Sequence, residues 1–338
     1  MNIASTGLFV KYYAGPVRHE IVGAPERGER MPERLGLGFI PGTGWRAGEV
    51  QDIARAAEDA GFEAAFCAEV NNDAVATALL MGLATHQLKV GTWVAHIYLR
   101  TSYLCAKAAA LAAEVTGGRL ILGLGVSHQP VNKALGIDMP DPAAALRRYA
   151  VEVAGWLRGE GPATHLPQRP SPHPVPIYLG ALTSPTVELA GEMADGIMPV
   201  WWSPERVIRS RVWAERGRAR SAARPKLQVA LGLPTFVGDD MAALRARARA
   251  NLGLFPNLPF FRRLLRASGF AAEADLAEQG GAEAALSDRV LDAICLMGPL
   301  SRCRQRLAEY RDAGVDLPIL WPAVDAESAR ATVQAFRQ

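Results

Sequence analysis

The sequence predicts an α/β chain whose strands close into a (β/α)8 TIM barrel, with a helical insertion late in the chain. Three observations carry this reading. Eight short apolar runs recur, each followed by a helical pattern at the usual spacing. Runs such as Leu120 to Leu124 show no polar alternation, as expected of strands covered on both faces. No strand-Gly-x-Gly-x-x-Gly-helix fingerprint stands near the N-terminus, which weighs against the alternative, an open doubly wound sheet.

Residues 1 to 33 hold Gly15-Pro16, Gly23-Ala24-Pro25 and Met31-Pro32 without a sustained period, and read as an irregular extension. A single barrel domain over 34–338 comes next. Leu35 to Ile40 is its first strand, and Glu49 to Ala60 an amphipathic helix closed by Gly61. Ala64 to Ala68 is the second strand, and Asp73 suits the cap of a helix running to Leu83. Leu88 to Val94 is the third strand, with a helix from Ser102 to Val115. Gly117-Gly118 ends that helix, and Leu120 to Gly125 is the fourth strand. Pro142 sits in the first turn of a helix ending at Leu157, ahead of a Pro-rich loop from Gly161 to Pro176. Ile177 to Leu179 and Gly196 to Pro199 are strands five and six. Helices from Ser184 and Pro204 come after them. Leu227 to Pro234 is the seventh strand, with a helix from Asp239 or Asp240. Residues 254–286 break the rhythm with Pro256, Pro259, Gly269 and Gly280-Gly281, and read as a mostly helical insertion or lid. Leu300 to Ala313 is a helix, Leu317 to Trp321 the eighth strand, and a helix ends the chain.

Composition narrows the function. With 49% hydrophobic and 21% charged residues the chain buries a large core, but no apolar run approaches the ~18 residues of a membrane span. The N-terminus lacks a basic region and a long apolar stretch, so no signal peptide is read. Cys67, Cys105, Cys295 and Cys303 form no CxxC pair and have no nearby His at metal-ligand spacing. Reduced thiols in a cytoplasmic protein are expected. The net charge is +3, and the densest basic run, Arg206 to Arg224, reads as a solvated helix face. It lacks the aromatic interleaving of a nucleic-acid patch, so no nucleic acid and no membrane is expected as partner.

Catalytic groups of a barrel lie on the loops after its strands. Those loops carry Thr43 and Trp45, then Glu69, Asn71, Asn72 and Asp73, then His96, Tyr98 and Arg100, then Ser127, His128 and Gln129, then Thr183 and Ser184, then Trp201 and Trp202. Only His96 and His128, of six histidines, fall at strand ends. No Ser-His-Asp order and no HExxH or carboxylate cluster stands in the sequence, so no metal is expected. What remains is a pocket of Trp, Tyr, His and small residues, suited to a flat aromatic cofactor and a small organic substrate. The Gly180 to Ser184 loop opens a helix and offers a generic anion site; plain strand-to-helix punctuation is the other reading. Glu69 reads either as a proton carrier or as the partner of a core Arg, and His96 as a proton carrier or a satisfied core histidine. Trp201-Trp202 reads as core, lid or stacking platform.

Residues in this order resemble the luciferase-like flavin and deazaflavin oxidoreductase superfamily over about 35–215 and from Gly298 onward. The resemblance is carried by Gly61-Phe62, Val90-Gly91-Thr92, Thr116 to Ser127, Ile177 to Ala181, Ala190 to Gly196 and Tyr310 to Asp316. Within it, Trp93 to Arg100 is similar to the branch that uses coenzyme F420. The resemblance implies a non-prolyl cis peptide near Trp93-Val94, pressed behind the deazaflavin ring, although Trp93 stands where that branch usually has Gly. It implies cofactor contacts at Gly38, Trp93, Val94, Ala95, Gly125, Ser127, Gly180, Ala181 and Thr183, and a homodimer. Sugar-phosphate dehydrogenases of the branch carry His where this chain has Val70, so glucose 6-phosphate is not expected. His128 stands where they carry an acid.

The resemblance implies an enzyme that moves a hydride between C5 of F420 and a small organic substrate, with His128, Glu69 or His96 handling the proton. The alternative is a monooxygenase using reduced FMN and oxygen. Deazaflavin has carbon at position 5 and does not readily form the peroxide that oxygen insertion needs, so cofactor identity decides reaction class. A further alternative is a barrel that binds a flavin without turnover.

Overall fold

A computed structural model of the chain describes residues 33–162, 166–221 and 225–338. Residues 1–32 of the N-terminal extension, and His165, lie outside them. Among the described residues, eight parallel strands close a ring: β1 (Gly36–Phe39), β2 (Ala64–Cys67), β3 (Lys89–Thr92), β5 (Leu120–Gly125), β6 (Ile177–Leu179), β7 (Gly196–Ile197), β8 (Gln228–Val237) and β10 (Leu317–Trp321). Pairing of Leu317 with Ala230 through Trp321 with Pro234 completes the closure. Two short strands stand beside the ring, β4 (Ala95–His96) against β5 and β9 (Leu296–Gly298) against the end of β8. The fold is the expected (β/α)8 barrel.

The helices are α1 (Ala47–Asp59), α2 (Ala74–Leu83), α3 (Ser102–Val115), α4 (Gln129–Ala134), α5 (Pro142–Leu157), α6 (Ser184–Met193) and α7 (Pro204–Arg218). Later come α8 (Met241–Leu252), α9 (Pro259–Ala267), α10 (Ala271–Glu278), α11 (Asp288–Ile294), α12 (Leu300–Ala313) and α13 (Ala326–Ala335). Their starts obey local chemistry. Asp73 accepts the amides of Val75 and Ala76 at 2.9 and 3.0 Å, and Asp141 accepts that of Ala144 at 3.0 Å. Among the described residues, no helix is long and apolar enough to cross a membrane, and all four cysteines are free and buried.

The run Gly117-Gly118-Arg119 shows why a helix stops and a strand starts where they do. Both glycines have positive φ, 63° and 87°, a turn that side chains resist. Arg119 then faces carbonyls left open at two helix ends. Its guanidinium donates to the carbonyls of Thr116, Gly82, Thr85 and Leu88 at 2.7 to 2.9 Å.

Three expectations are corrected. The third strand stops at Thr92, because the chain turns into the barrel at Trp93, and Ala95–His96 forms a separate strand on β5. The seventh runs on to Val237, because its last three residues find a partner in β9. The Arg-rich helix is not solvated all round. Arg206 points inward at 4% exposure, where its guanidinium donates to Ala267 O at 3.0 Å and Leu182 O at 3.2 Å and lies over Trp213. Burial holds its pKa below the ordinary value. Ala267 ends α9, so the negative end of that helix helps to offset the buried charge.

Residues 254–286 are mostly helical, as expected, with a short 3-10 turn at Phe255–Asn257 ahead of α9 and α10. Arg206 ties them to the barrel. Arg206→Met is expected to speed amide hydrogen exchange across 259–278 through a loss of about 2 kcal/mol of local stability. Unchanged exchange in that segment would remove Arg206 from this role.

Candidate active site

The site is built at the C-terminal mouth of the barrel, on the segment after β3. Trp93 N donates to Cys67 O at 2.7 Å, and the Trp93–Val94 peptide is cis, as the resemblance implied. The indole of Trp93 fills the barrel's upper interior. A Cβ on Gly232 would stand 2.2 Å from Trp93 Cζ2, and one on Gly38 2.9 Å from Trp93 Cζ3 and 2.8 Å from Ile319 Cγ2. Only glycine leaves that room. Trp321 meets the same indole edge-on, centroids 5.2 Å apart. Val94 is held likewise, since a Cβ on Gly125 would stand 2.2 Å from its Cγ2 and one on Gly180 3.5 Å away.

Glu69 anchors the chain on either side of this segment. Its side chain is 3% exposed, and Arg100 meets it through both terminal nitrogens, Nη1 at 2.9 Å from Oε2 and Nη2 against Oε1. The amides of Ala74 and His96 donate to the same carboxylate at 3.1 and 2.6 Å. Burial works to lower the pKa of the Arg100 guanidinium, but the Glu69 hydrogen bonds outweigh it and hold the group above its ordinary value. Of the two readings of Glu69, partner of a buried Arg is the one the geometry gives, and Arg100 is the partner. Both carboxylate oxygens are engaged, which corrects its assignment as a free proton carrier.

The two strand-end histidines are half-buried near one another. Burial first, and then charge on His96, holds His128 below the usual imidazole value. Burial also lowers His96, partly offset by Glu69 and reinforced by Arg100. Nδ1 of His96 and the hydroxyl of Tyr98 are buried without a hydrogen-bond partner. His128 opens α4, and its ring lies 5.6 Å from that of Phe261 on α9.

Aromatic contacts continue from there. Phe261 meets Trp201 at 4.8 Å and Phe255 at 4.9 Å, and Phe255 meets Trp321 at 5.5 Å. Trp201 adopts φ 59°, rare for a bulky side chain, and is 2% exposed with its Nε1 unpartnered. Trp201-Trp202 is therefore buried, and Trp201 joins barrel to insertion.

The cofactor-contact candidates divide. Val94, Ser127, Gly180 and Thr183 are partly exposed, while Trp93 is 9% exposed beneath them. Ser127 stands at φ 61°, turning the chain toward His128. The Thr183 amide donates to Thr186 Oγ1 at 3.3 Å, so it is occupied within α6. Gly38 and Gly125 make room for Trp93 and Val94, and Ala95 and Ala181 have no exposed surface. In this structure all four pack against protein, Gly38 and Gly125 leaving room for neighbouring side chains. Phe255, Phe261 and Arg206 were not singled out from the sequence. The signal for the two phenylalanines was the run Phe255, Phe260 and Phe261 around Pro256 and Pro259.

Glu69→Gln keeps the shape and removes the charge opposite Arg100. It is expected to cost about 3 kcal/mol or more in thermal unfolding. A melting temperature equal to that of the unmodified chain would overturn the anchoring role.

The chain is 30% identical to a Mycobacterium tuberculosis protein named as a coenzyme F420-dependent oxidoreductase, over 82% of this chain and 92% of that one. It is 26% identical to the 5,10-methylenetetrahydromethanopterin reductase of Methanolobus tindarius, over 83% and 91%. Its fold matches the coenzyme F420-dependent tetrahydromethanopterin reductase of Methanopyrus kandleri with TM-score 0.74 and 19% identity, over 90% and 97%. A family model for luciferase-like monooxygenases matches residues 35–317. Since that match runs from the first barrel strand to the start of the last, the chain belongs to the luciferase-like monooxygenase family.

Proposed function

We propose that the chain is an F420-dependent oxidoreductase that transfers a hydride between the deazaflavin and a small organic substrate. The observation that carries this reading is the Trp93–Val94 segment, which presents Val94 at the mouth over Gly125 and Gly180. The names of the two relatives similar in sequence support the same cofactor. The residues fit a flat ring. Val94 offers a small apolar backing, and the unpartnered His96 Nδ1 and Tyr98 hydroxyl leave polar atoms for a ligand to satisfy. When bound, F420 supplies a carbon that gives or takes hydride.

The chain's own groups supply the rest. Trp93 and Val94 are held by glycine-lined walls and form a rigid floor. Glu69 and Arg100 fix the backbone that carries His96. His128, kept neutral by burial, holds or accepts the proton that accompanies hydride transfer. His96 is the second candidate for that proton. The homodimer implied by the resemblance is part of the same proposal. Leu104, Leu111 and Val115 leave one face of α3 exposed, and Leu83 is exposed at the end of α2, which packs on α3.

The family's description as monooxygenases favours a second reading, with reduced FMN and oxygen. Titration with F420, and separately with oxidised and reduced FMN, separates the two. F420 is expected to bind with micromolar affinity and FMN far more weakly. Tight binding of reduced FMN alone, with oxygen uptake, would overturn the proposal.

Burial also sets a pH dependence. Both imidazoles sit below their usual value of 6.5, so protonation is harder in the folded chain than in the unfolded one. Their contribution to stability is complete above that value and is lost as pH falls below it toward the folded values. The melting temperature is expected to drop between about pH 7 and 5, and His128→Gln to flatten part of that drop. An identical slope in the variant would show that His128 is not held neutral by the fold.

A further inference from the structure

We propose that a halide-sized anion, chloride in ordinary salt, binds in a cavity between α7 and the strands β7 and β8, against Trp202 and Ser210.

The cavity measures about 30 Å³, room for one small ion or one water. Much of its wall is apolar, from Ile197, Val207, Ala214, Leu227 and Val229. Trp202 and Ser210 line it as well, 1% and 2% exposed. Each carries a buried polar atom without a hydrogen-bond partner, Nε1 of Trp202 and Oγ of Ser210. An indole N–H only donates, and a hydroxyl donates as readily as it accepts. One acceptor in this cavity therefore gives both groups what they lack.

Charge decides what the acceptor is. Arg206 stands one helical turn before Ser210 on α7, and its guanidinium carbon is 6.0 Å from the centre of the Trp202 ring. It is 4% exposed, its Nε is buried without a partner, and it has no carboxylate partner among the described residues. Its two hydrogen bonds go to carbonyls, which bring no net charge. The charge that acts on it is that of Arg209, of the same sign. At the cavity wall, Arg218 pairs with Glu215 at 3.1 Å, and Lys226 with Asp316 at 2.9 Å, so these four cancel. Arg211 lines the cavity too and forms no ion pair among the described residues. Two guanidinium charges thus lack a counter-charge, and one of them is out of water, where that lack is costly. A cation is repelled here. Water brings an acceptor but no charge, and an anion brings both.

Size and wall choose among anions. A tetrahedral oxyanion such as phosphate is too large for the space and too strongly hydrated for a mostly apolar wall. Chloride and bromide are small and give up water more readily.

The test is thermal unfolding of the full chain as sodium gluconate, too large to enter, is exchanged for sodium chloride at constant ionic strength. The melting temperature is expected to rise along a saturating one-site curve with its midpoint at millimolar chloride, and sodium bromide to act alike. No cofactor is needed, so the result stands whether or not F420 binds. Ser210→Ala removes one donor and is expected to move the midpoint to about tenfold higher chloride. Trp202→Phe removes the other donor and serves if Ser210→Ala does not fold, with about the same shift expected. A melting temperature indifferent to the exchange would overturn the proposal and leave water as the occupant. A chloride response that both variants leave unmoved would overturn it as well.

Discussion

The buried pair of Glu69 and Arg100 fixes the mouth of this barrel. Taking two charges out of water is costly, and the attraction between them compensates only when every remaining lone pair has a donor. Here both oxygens are served. Two donors come from the guanidinium and two from the backbone of Ala74 and His96. The backbone donors matter most for function. A pair of apolar side chains could fill the same space, but it could not set the direction of the His96 amide. With that amide fixed, Ala95 and His96 lie along β5, and the imidazole of His96 is delivered beside that of His128.

Room is the second constraint. Barrel interiors are usually filled by branched side chains from the strands. In this chain the upper layer is vacated by Gly38 and Gly232 and filled by the indole of Trp93, which arrives from a loop. Floor and core are thus one object. A disturbance of core packing near β1 or β8 reaches the segment that carries Val94 without any change in the residues facing a ligand.

Much of this was legible from the chain alone, and the reason is locality. Asp73, Asp141 and the Gly117-Gly118 turn act on atoms a few residues away, so their consequences can be read from sequence. Strands of four or more residues announce themselves by apolar content. What escaped depends on partners distant in sequence. Ala95–His96 and Leu296–Gly298 are strands only because β5 and the end of β8 receive them. Arg206 sits in a helix whose composition speaks of solvent, and the carbonyls of Leu182 and of Ala267, 61 positions on, turn it inward. Glycines at 38 and 125 promised space, and the sequence could not say that protein rather than ligand fills it. Phe255 and Phe261 gain meaning only once the insertion is docked on Trp201.

The proton in the proposed reaction depends on the same groups. Hydride transfer moves negative charge, and a proton must travel by a separate route. Two half-buried imidazoles close together do not both hold a proton readily, since charge on His96 opposes charge on His128. The pair then has at most one proton to offer near neutral pH, and its macroscopic titration belongs to both rings. Glu69 would favour a charge on His96, while Arg100 opposes it. The two members of the ion pair thus act in opposite directions at His96, and burial is the largest influence on it.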